Sequence, residues 1–324
     1  MTYLLRRLVH GLLVLLTLSL LVFVAVYAIG NPVDLLVDPH ADAADRQRTI
    51  AALGIDQPLP MQYLHFLGNA LHGQLGDSFV QGVPALPLVL ERLPATLELA
   101  LAALLIALLV GLPLGLASGL HKGKALDKLI GAGALLGFSL PTFWVGLTLI
   151  LLFSVSLQWL PPGGRGPTVE LFGLQLSCFS LEGWRHLLLP ALTLALFKTA
   201  LLIRLLRRGT VDALGRDDVR FAHSRGLSEA RVIVVHLLKP LLPPLLTVLG
   251  MEFGSIIAFA VVTETIFGWP GMGRLLIESV NAVDRPVIVA YLLVVAAMFV
   301  TINLLADLAA ALLDPRLRQE VSDA

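Results

Sequence analysis

Long uninterrupted apolar segments are the feature that most constrains this chain. Each of six segments is long enough to cross the roughly 30 Å hydrocarbon core of a bilayer as an α-helix. They run from Leu8 to Ile29, Ala95 to Leu120, Leu129 to Leu157, Leu187 to Leu206, Leu241 to Phe267 and Val287 to Leu313. None shows the alternation of apolar and polar residues that is typical of a membrane β-barrel. The sequence therefore predicts an all-α polytopic membrane protein with six transmembrane helices.

The composition excludes a soluble globular protein. Hydrophobic residues make up 57% of the 324 residues, charged residues make up 14%, and the mean hydropathy is +0.85. A soluble fold of this size could not bury so much apolar surface, so lipid must solvate the chain. The formal net charge is +0, and no global field therefore favours a nucleic-acid partner. The single cysteine, Cys178, cannot form a disulfide within the chain.

The distribution of Lys and Arg predicts the orientation, because positive charge accumulates in cytoplasmic segments. With the amino terminus inside, most of the 23 Lys and Arg residues lie on the cytoplasmic side of the predicted helices. Both termini are therefore predicted to be cytoplasmic. The first apolar segment follows Arg6 and Arg7 and is longer than the apolar core of a typical signal peptide, which favours a signal anchor over a cleaved leader.

The helices divide the chain into regions. Residues 1–30 hold the amino-terminal tail and the first helix, and residues 31–94 form a periplasmic loop region, in which apolar spacing predicts one short helix from Ala41 to Leu53. Residues 95–313 form a five-helix core that includes a cytoplasmic loop at 209–239, and residues 314–324 form a cytoplasmic tail. We see no internal repeat and no separately folding soluble domain.

The loop at 209–239 is a polar interlude that predicts a short helix, a turn and a second helix. Val211 to Ser224 has a helix-compatible composition, Gly226 can adopt the left-handed geometry that ends a helix, and Ser228 can cap the next one. Ala222, Ser224 and Gly226 are small enough to permit close approach by another protein. Composition alone leaves the alternative open that this is an ordinary Arg-rich loop that serves only topology.

Glu264 is a polar residue within an apolar segment, and it lies just before the most distinctive turn of the sequence. It is near the outer end of the fifth predicted helix and is followed by Phe267, Trp269 and Pro270, in a turn rich in glycine. Charge is costly in lipid, so such residues tend to face an interior or a cavity. Glu264 and the turn are therefore candidates for a translocation pathway or gate, and the alternative is a structural hydrogen-bonding role.

We predict structural roles for other polar residues of the apolar segments. Glu98 and Asp307 lie near the ends of predicted helices, where a structural role is favoured. Lys198 could pair with a carboxylate such as Glu252, although the sequence cannot show the contact. We make no assignment for Asn303.

Neither a metal site nor a nucleotide site is visible in the sequence. The eight histidines form no pair at i, i+4 on one predicted helix, and they divide between the two sides of the membrane. No Gly-x-x-x-x-Gly-Lys-Ser/Thr phosphate loop occurs. We therefore expect no metal and no cofactor in this chain. A secondary transporter that works without ATP is an alternative, but the inverted repeats and midplane charges common in such proteins are not visible.

Several runs of sequence resemble, in order, those of a known family. They are Gly54 to Tyr63, Arg92 to Leu99, Ser139 to Trp144, Leu189 to Leu192, Glu264 to Gly273 and Leu313 to Arg318. The loop at 209–239 contains a further match, which consists of Ala222, three residues, Gly226 and then the sequence LSEARV. The chain resembles the dipeptide, oligopeptide and nickel permeases of bacterial ATP-binding-cassette (ABC) importers, and within them the B-type subunit of dipeptide systems.

The resemblance implies a type I ABC importer permease fold and a transport role without catalysis in this chain. Two homologous permeases would face each other in the bacterial inner membrane, and a periplasmic or lipid-anchored binding protein would deliver di- or oligopeptides. Two cytoplasmic ATPases would bind ATP and Mg and drive alternating access. Nickel or a metallophore is the alternative substrate within the same family.

The resemblance also identifies the loop at 209–239 as the ATPase-coupling loop. It implies a coupling role for Ala222, Ser224, Arg225, Gly226, Leu227, Glu229 and Arg231. The chain departs from the family's loop pattern, which begins Glu-Ala-Ala, because Arg220, Phe221 and Ala222 stand at those places. We therefore expect docking through backbone and small side chains, and not through a contact that needs the acidic residue.

Overall fold

The fold is a bundle of long helices. The computed structural model describes residues 2–28, 57–171 and 173–313. The helices are α1 (Thr2–Ala28), α2 (Leu59–Leu71), α3 (Ala85–Leu120), α4 (Ala125–Ser139), α5 (Thr142–Leu149) with a π-helical continuation (Ile150–Ser156), α6 (Leu181–Leu214), α7 (Asp217–Ser224), α8 (Lys239–Ile266), α9 (Met272–Asn281) and α10 (Arg285–Leu313). A helical turn (Glu229–Arg231) and a π-helical segment (Val232–Leu238) lead into α8. Strands β1 (Val169–Leu171) and β2 (Leu174–Leu176) pair as an antiparallel hairpin.

Five helices of the described residues are long and apolar enough to cross a membrane, and a bent pair makes a sixth crossing if it is counted as one. The prediction of an all-α polytopic membrane protein is confirmed. The boundaries differ from the predicted ones, since α3 begins at Ala85 before the predicted Ala95, and α6 extends beyond the predicted end at Leu206 to Leu214. The short helix predicted for Ala41 to Leu53 and the tail at 314–324 lie outside the described residues.

The third predicted span, Leu129 to Leu157, is broken in the middle. α4 and the helix formed by α5 with its π-helical continuation meet at an angle of 101°. Pro141 has no backbone N–H and disfavours helical geometry in the residue before it, and Leu140 accordingly has ψ of 132°. The physical reason for the break was present in the sequence, because Pro141 interrupts the apolar run.

Helices α3 and α6 form a closely packed parallel pair. Gly111 of α3 lies against Leu202 of α6, and Gly119 lies against Thr210. A Cβ atom added at Gly111 would lie 2.9 Å from the Leu202 side chain, and one at Gly119 would lie 2.5 Å from that of Thr210. Small residues at such positions let two helix backbones approach closely, as in membrane helix dimers. These two helices therefore behave as one packed unit.

Helices α8 and α10 form a second closely packed pair, which is antiparallel. A Cβ atom added at Gly250 of α8 would lie 2.2 Å from the Cβ atom of Ala306, and one at Gly254 would lie 2.6 Å from the ring of Phe299. The backbones of α8 and α10 are thus also in close contact. The main buried cluster lies between the two pairs, and it includes Leu99, Leu187, Leu202, Ile256 and Ala290.

The amino-terminal helix packs on the outside of the second pair. Along α1, Gly11 faces Val300 of α10. Arg7 donates across the same contact to Asp307, with the guanidinium nitrogen 2.8 Å from the carboxylate oxygen. Asp307 thus has an ion-pair partner on another helix, in agreement with the structural role predicted for it. Such a pair compensates the charge of a residue near the end of a membrane helix.

Candidate functional site

Residues 209–239, which we call the coupling loop after the role that is predicted for them, fold as a helical hairpin at one end of the bundle. α6 ends at Leu214, α7 runs from Asp217 to Ser224, and the chain turns at Gly226 before the helical turn Glu229–Arg231. We refer to this end of the bundle as the loop end. The predicted order of short helix, turn and second helix is observed, with α7 shorter than the predicted Val211 to Ser224 because Gly215 and Arg216 separate it from α6.

Gly226 ends α7 in a left-handed turn. Its φ angle is +73°, its N–H donates to the carbonyl of His223 at 2.9 Å, and the N–H of Leu227 donates to the carbonyl of Ala222 at 3.3 Å. This pair of bonds is the Schellman arrangement, which satisfies carbonyls that the end of a helix leaves free. Ser228 occupies the predicted cap position of the next turn, but its side chain makes no capping hydrogen bond.

Ala222 lies inside the coupling loop and not on its surface. It is only 2% exposed and belongs to a small buried cluster with Ala213, Val219, Val232 and Leu237. The expectation that Ala222 offers a small surface for another protein is therefore corrected by the structure. Its small side chain instead permits α7 to pack against the returning segment of its own chain.

The other predicted coupling residues lie on the outer face of the loop. Ser224, Arg225, Gly226, Glu229 and Arg231 are exposed, and Leu227 is half-buried. Phe221, which sequence reasoning treated only as a departure from the family pattern, is 58% exposed. The guanidinium carbon of Arg225 lies 4.6 Å from the centre of the Phe221 ring, so the aromatic and basic side chains form one surface.

Glu264 lies at the opposite end of the bundle and is completely buried, with 0% of its surface exposed. One carboxylate oxygen accepts a hydrogen bond from the Thr96 hydroxyl at 2.7 Å, and the other accepts from the backbone N–H of Arg274 at 3.0 Å. The Thr96 oxygen in turn accepts from the N–H of Met272 at 2.9 Å. Glu264 thus joins α3, α8 and α9 through hydrogen bonds, as the structural alternative for this residue would require.

The turn after Glu264 is also closed off from solvent. Trp269 is 0% exposed, and its indole N–H donates to the carbonyl of Ala95 at 2.9 Å. Phe267 is 1% exposed, and its carbonyl accepts from the N–H of Gly164 at 2.8 Å. Pro270 is half-buried. The predicted gate residues therefore form a packed, hydrogen-bonded layer.

Glu98 of α3 holds the segment that precedes α6, residues 157–180, onto the bundle. It is 5% exposed and pairs with Arg165, whose guanidinium nitrogen lies 2.7 Å from the carboxylate oxygen. The hydroxyl of Ser177 and the N–H of Cys178 donate to the other carboxylate oxygen. Burial raises the pKa of the Cys178 thiol, and the neighbouring charge of Glu98 raises it further. The sequence marked Glu98 as polar in an apolar segment but gave no signal for Arg165 as its partner.

Lys198 and Glu252 meet inside the bundle, as the sequence allowed. The ammonium nitrogen of Lys198 lies 2.5 Å from a carboxylate oxygen of Glu252 and donates to the Ser255 hydroxyl at 2.9 Å. The two charged side chains retain only 10% and 19% of their exposure. This ion pair connects α6 with α8.

A second ion pair, between Asp127 and Arg207, was missed by sequence reasoning. The guanidinium group of Arg207 donates to both carboxylate oxygens of Asp127, at 2.6 and 2.8 Å. Ser118 and the N–H of Gly123 also donate to this carboxylate. The contacts fasten the turn between α3 and α4 to the part of α6 that leads into the coupling loop. A carboxylate among basic residues was the available signal, but sequence cannot show which cation it meets.

The part of the chain that the structure describes contains no cluster of side chains that could bind a metal ion. Within residues 2–28, 57–171 and 173–313, no three His, Cys, Asp or Glu residues lie together so that they could hold an ion. The expectation that this chain has no metal site stays a prediction.

Comparison with known proteins gives matches along nearly the whole chain. Residues 111–319 match the family described as "Binding-protein-dependent transport system inner membrane component", and residues 1–100 match "Binding-prot-dependent transport system membrane comp, N-term". The chain is 38% identical over 323 residues to the "Di/tripeptide transport system permease protein DppB" of Pseudomonas aeruginosa (strain UCBPP-PA14), covering 93% of this chain and 94% of that one. It is 38% identical over 317 residues to the "Oligopeptide transport system permease protein AppB" of Bacillus subtilis (strain 168), covering 97% and 98%.

The fold is similar to that of a solved transporter. A chain from the structure described as "Inward facing conformations of the MetNI methionine ABC transporter" superposes with a TM-score of 0.56 and 14% identity, covering 70% of this chain and 96% of that one. The helical bundle and the superposition together show that this is a multi-pass membrane protein with the fold of an ABC transporter permease. The chain belongs to the family of binding-protein-dependent transport system inner membrane components.

Proposed function

We propose that this chain is a permease subunit of an ATP-driven importer that carries di- or oligopeptides across the bacterial inner membrane. The observation that carries the proposal is the full-length similarity to permeases of di/tripeptide and oligopeptide systems. Nickel or a metallophore is less supported as the substrate, because these relatives are named for peptides. ATP and Mg would be bound by separate ATPase subunits, since the chain has no phosphate loop.

The outer face of the coupling loop is the proposed contact with an ATPase subunit. Ser224, Arg225, Gly226, Glu229 and Arg231 would contact the ATPase directly, because they are exposed. Ala222 would act from inside the loop by holding α7 in place. An exposed aromatic ring beside an arginine, as in Phe221 and Arg225, is the kind of anchor enriched in protein interfaces.

The orientation and the other partners follow from this assignment. The loop end would be cytoplasmic, together with both termini, which agrees with the distribution of Lys and Arg. The layer of Glu264, Phe267, Trp269 and Pro270 would then lie at the periplasmic end. We propose that it forms a closed part of the outer gate, and that its burial in this conformation supports this role. A second, homologous permease and a substrate-binding protein would complete the importer.

Reconstitution of the complete importer tests the proposal. The chain, its partner permease, the ATPases and the binding protein are placed in lipid vesicles, and uptake of a radiolabelled dipeptide is measured with ATP, without ATP, and with a non-hydrolysable ATP analogue. We expect uptake only with ATP and binding protein. The chain purified alone should hydrolyse no ATP.

Two results would contradict the proposal. Dipeptide uptake that is driven by an ion gradient and unaffected by ATP would indicate a secondary transporter. Uptake of nickel or a nickel chelate in the same vesicles, with no uptake of dipeptides or longer peptides, would assign the alternative substrate.

A further inference from the structure

The bundle contains two packed helix units that are joined by few polar contacts. α3 and α6 are fixed to each other by the close approach at Gly111 and Gly119, and α8 and α10 by the approach at Gly250 and Gly254. Such backbone contacts leave no room for sliding, because packed interfaces are not continuously deformable. Relative motion within the bundle is therefore expected between these two units and not inside either of them.

The contacts between the two helix units differ along the length of the bundle. At the end opposite the coupling loop, Thr96 of α3 and Glu264 of α8 are joined by a buried hydrogen bond of 2.7 Å. At the loop end, the contact between α6 and α8 is apolar and is made by the end of a flexible side chain. A Cβ atom added at Gly209 of α6 would meet the Cδ2 methyl group of Leu241 of α8, whereas one added at Gly111 or Gly119 would meet a Cβ atom close to the neighbouring backbone. Apolar contacts are non-directional and tolerate rotation better than hydrogen bonds do. The opposite end is thus the firmer connection, and the loop end is the freer one.

Between these levels, Lys198 of α6 reaches Glu252 and Ser255 of α8. Among the described residues, these are the polar contacts that connect α6 with α8. The pair lies within two predicted membrane-crossing helices, where charged residues are rare and costly. A buried ion pair adds little stability compared with apolar residues of similar size. Its best-attested use is to fix one arrangement of two elements relative to another.

We propose that the Lys198–Glu252 ion pair is a brace between the two helix units, which holds the helices on either side of the coupling loop in one of the two states of the transport cycle. This inference rests on the proposed function, because it assumes that the loop transmits the action of an ATPase. α6 enters the coupling loop and α8 leaves it, so a change in their relative position moves the loop. Lys198 and Glu252 are positioning residues that act through this geometry and not through contact with the transported peptide.

The ion pair can bias the transport cycle because its free energy differs between the two states. A contact shifts an equilibrium only by the difference in its free energy between them. An ion pair with little exposure loses much when its partners separate, because neither charge regains full hydration. The hydroxyl of Ser255 satisfies a further hydrogen of the ammonium group, so the brace is directional.

The test uses the complete importer in lipid vesicles and four variants of this chain. Lys198→Met and Glu252→Gln each remove one charge, and Lys198→Met/Glu252→Met removes both. Lys198→Glu/Glu252→Lys exchanges the two charges. The control is Arg7→Met/Asp307→Met, which removes an ion pair of 2.8 Å between α1 and α10, away from the contact between the two helix units. Peptide uptake and ATP hydrolysis are measured together for each variant.

A distance measurement reports the state of the two units without relying on substrate. Spin labels are attached to cysteines placed at two exposed residues in a Cys178→Ala background. One is Lys124, in the turn between α3 and α4, and the other is Lys239, at the start of α8. Their separation is recorded with and without ATP. We expect two ATP-dependent distances in the otherwise unchanged chain and a distribution that no longer responds fully to ATP when both charges are removed.

The expected results separate the brace from a merely structural role. Each single variant should lower peptide transported per ATP hydrolysed on the order of tenfold, a typical size for coupling between sites. The charge exchange should recover most of the loss, and the control pair should leave coupling unchanged. If a single variant fails to assemble because it leaves one buried charge alone, the double neutral variant decides the question, since it leaves none.

Two results would overturn the brace. One is normal coupling and a normal ATP-dependent distance change in the double neutral variant. The other is an assembled charge-exchange variant that couples no better than the single variants. Failure of the unaltered importer to take up peptide with ATP would instead contradict the proposed function, and the two failures are therefore distinguishable.

Discussion

The coupling loop and the layer around Glu264 occupy opposite ends of the same bundle and are built in opposite ways. In the coupling loop, a few small apolar side chains such as Ala222 are buried, while the charged and aromatic residues are exposed. In the opposite layer, the carboxylate of Glu264 and the ring of Trp269 are fully buried. The loop leaves a surface that another protein can cover, whereas the layer satisfies its polar atoms within the chain.

The comparison separates two kinds of candidate residue. Exposed residues of the loop can act through contact with a partner, so substitutions there should change binding more than folding. Buried residues of either region hold the chain together, so substitutions there should first change stability. Four substitutions test this distinction, and they follow in order of decreasing expected effect.

Ala222→Asp should have the largest effect. It would place a charge among apolar side chains at a position that is 2% exposed, at a cost of about 3–5 kcal/mol for the local fold of the loop. Limited proteolysis should show faster cleavage within residues 209–239, and the ATPases should dissociate from the complex. Ala222→Ser, which adds only a hydroxyl, is the control and should retain both properties to a large extent. Slow cleavage of the Asp variant together with lost ATPase binding would show that Ala222 contacts the partner directly.

Glu264→Gln should lower the stability of the bundle. The two carboxylate oxygens accept from Thr96 and from the N–H of Arg274, and an amide NH2 group cannot accept from one of these donors. The buried group left without its partner should cost about 1–3 kcal/mol. Thermal unfolding in detergent measures the loss. Glu278→Gln is a control from the neighbouring helix α9, where the side chain is 58% exposed. Unchanged stability with altered transport would favour a direct gate role for Glu264.

Gly226→Asp should affect ATPase binding more than folding. A Cβ atom at Gly226 meets nothing within 4 Å, so the cost to the fold comes from the φ angle of +73° and should be about 1–2 kcal/mol. Gly226→Asn has nearly the same shape and tolerates the same geometry, but it adds no charge. We expect the Asp variant to retain fewer ATPases than the Asn variant, measured by co-purification at low and high salt. Equal retention by both would mean that the position does not face the partner.

Glu229→Gln should have the smallest effect, because we place Glu229 at the edge of the proposed ATPase contact. Its side chain is 82% exposed, and the Nε2 atom of His223 lies 3.9 Å from its carboxylate. Exposed pairs of this kind contribute roughly 0–1 kcal/mol. Transport and ATPase retention should therefore stay within about twofold of the unaltered importer. A larger loss would place Glu229 at the centre of the ATPase contact, not at its edge.

The sequence predicted the parts of the fold that depend on local properties. The length of an apolar run decides whether a helix can cross a bilayer, and five crossing helices match predicted segments. The left-handed turn at Gly226 was likewise predicted, because glycine adopts that geometry with little penalty. Even the break at Pro141 is a local effect, although the length of the apolar run that contains it predicts one continuous span.

Only the tertiary structure decided which side chains meet. No pattern in the sequence assigns Arg165 to Glu98 or Arg207 to Asp127, since each pair joins segments far apart in the chain. It also could not show that Ala222 faces inward, because that depends on how α7 is rotated against the returning segment. The apolar runs by themselves determined a membrane-spanning helical chain, since hydration of the backbone and side chains is a local matter. The rotation and spacing of the helices, set by close approach at residues such as Gly111 and Gly250, then determined the contacts.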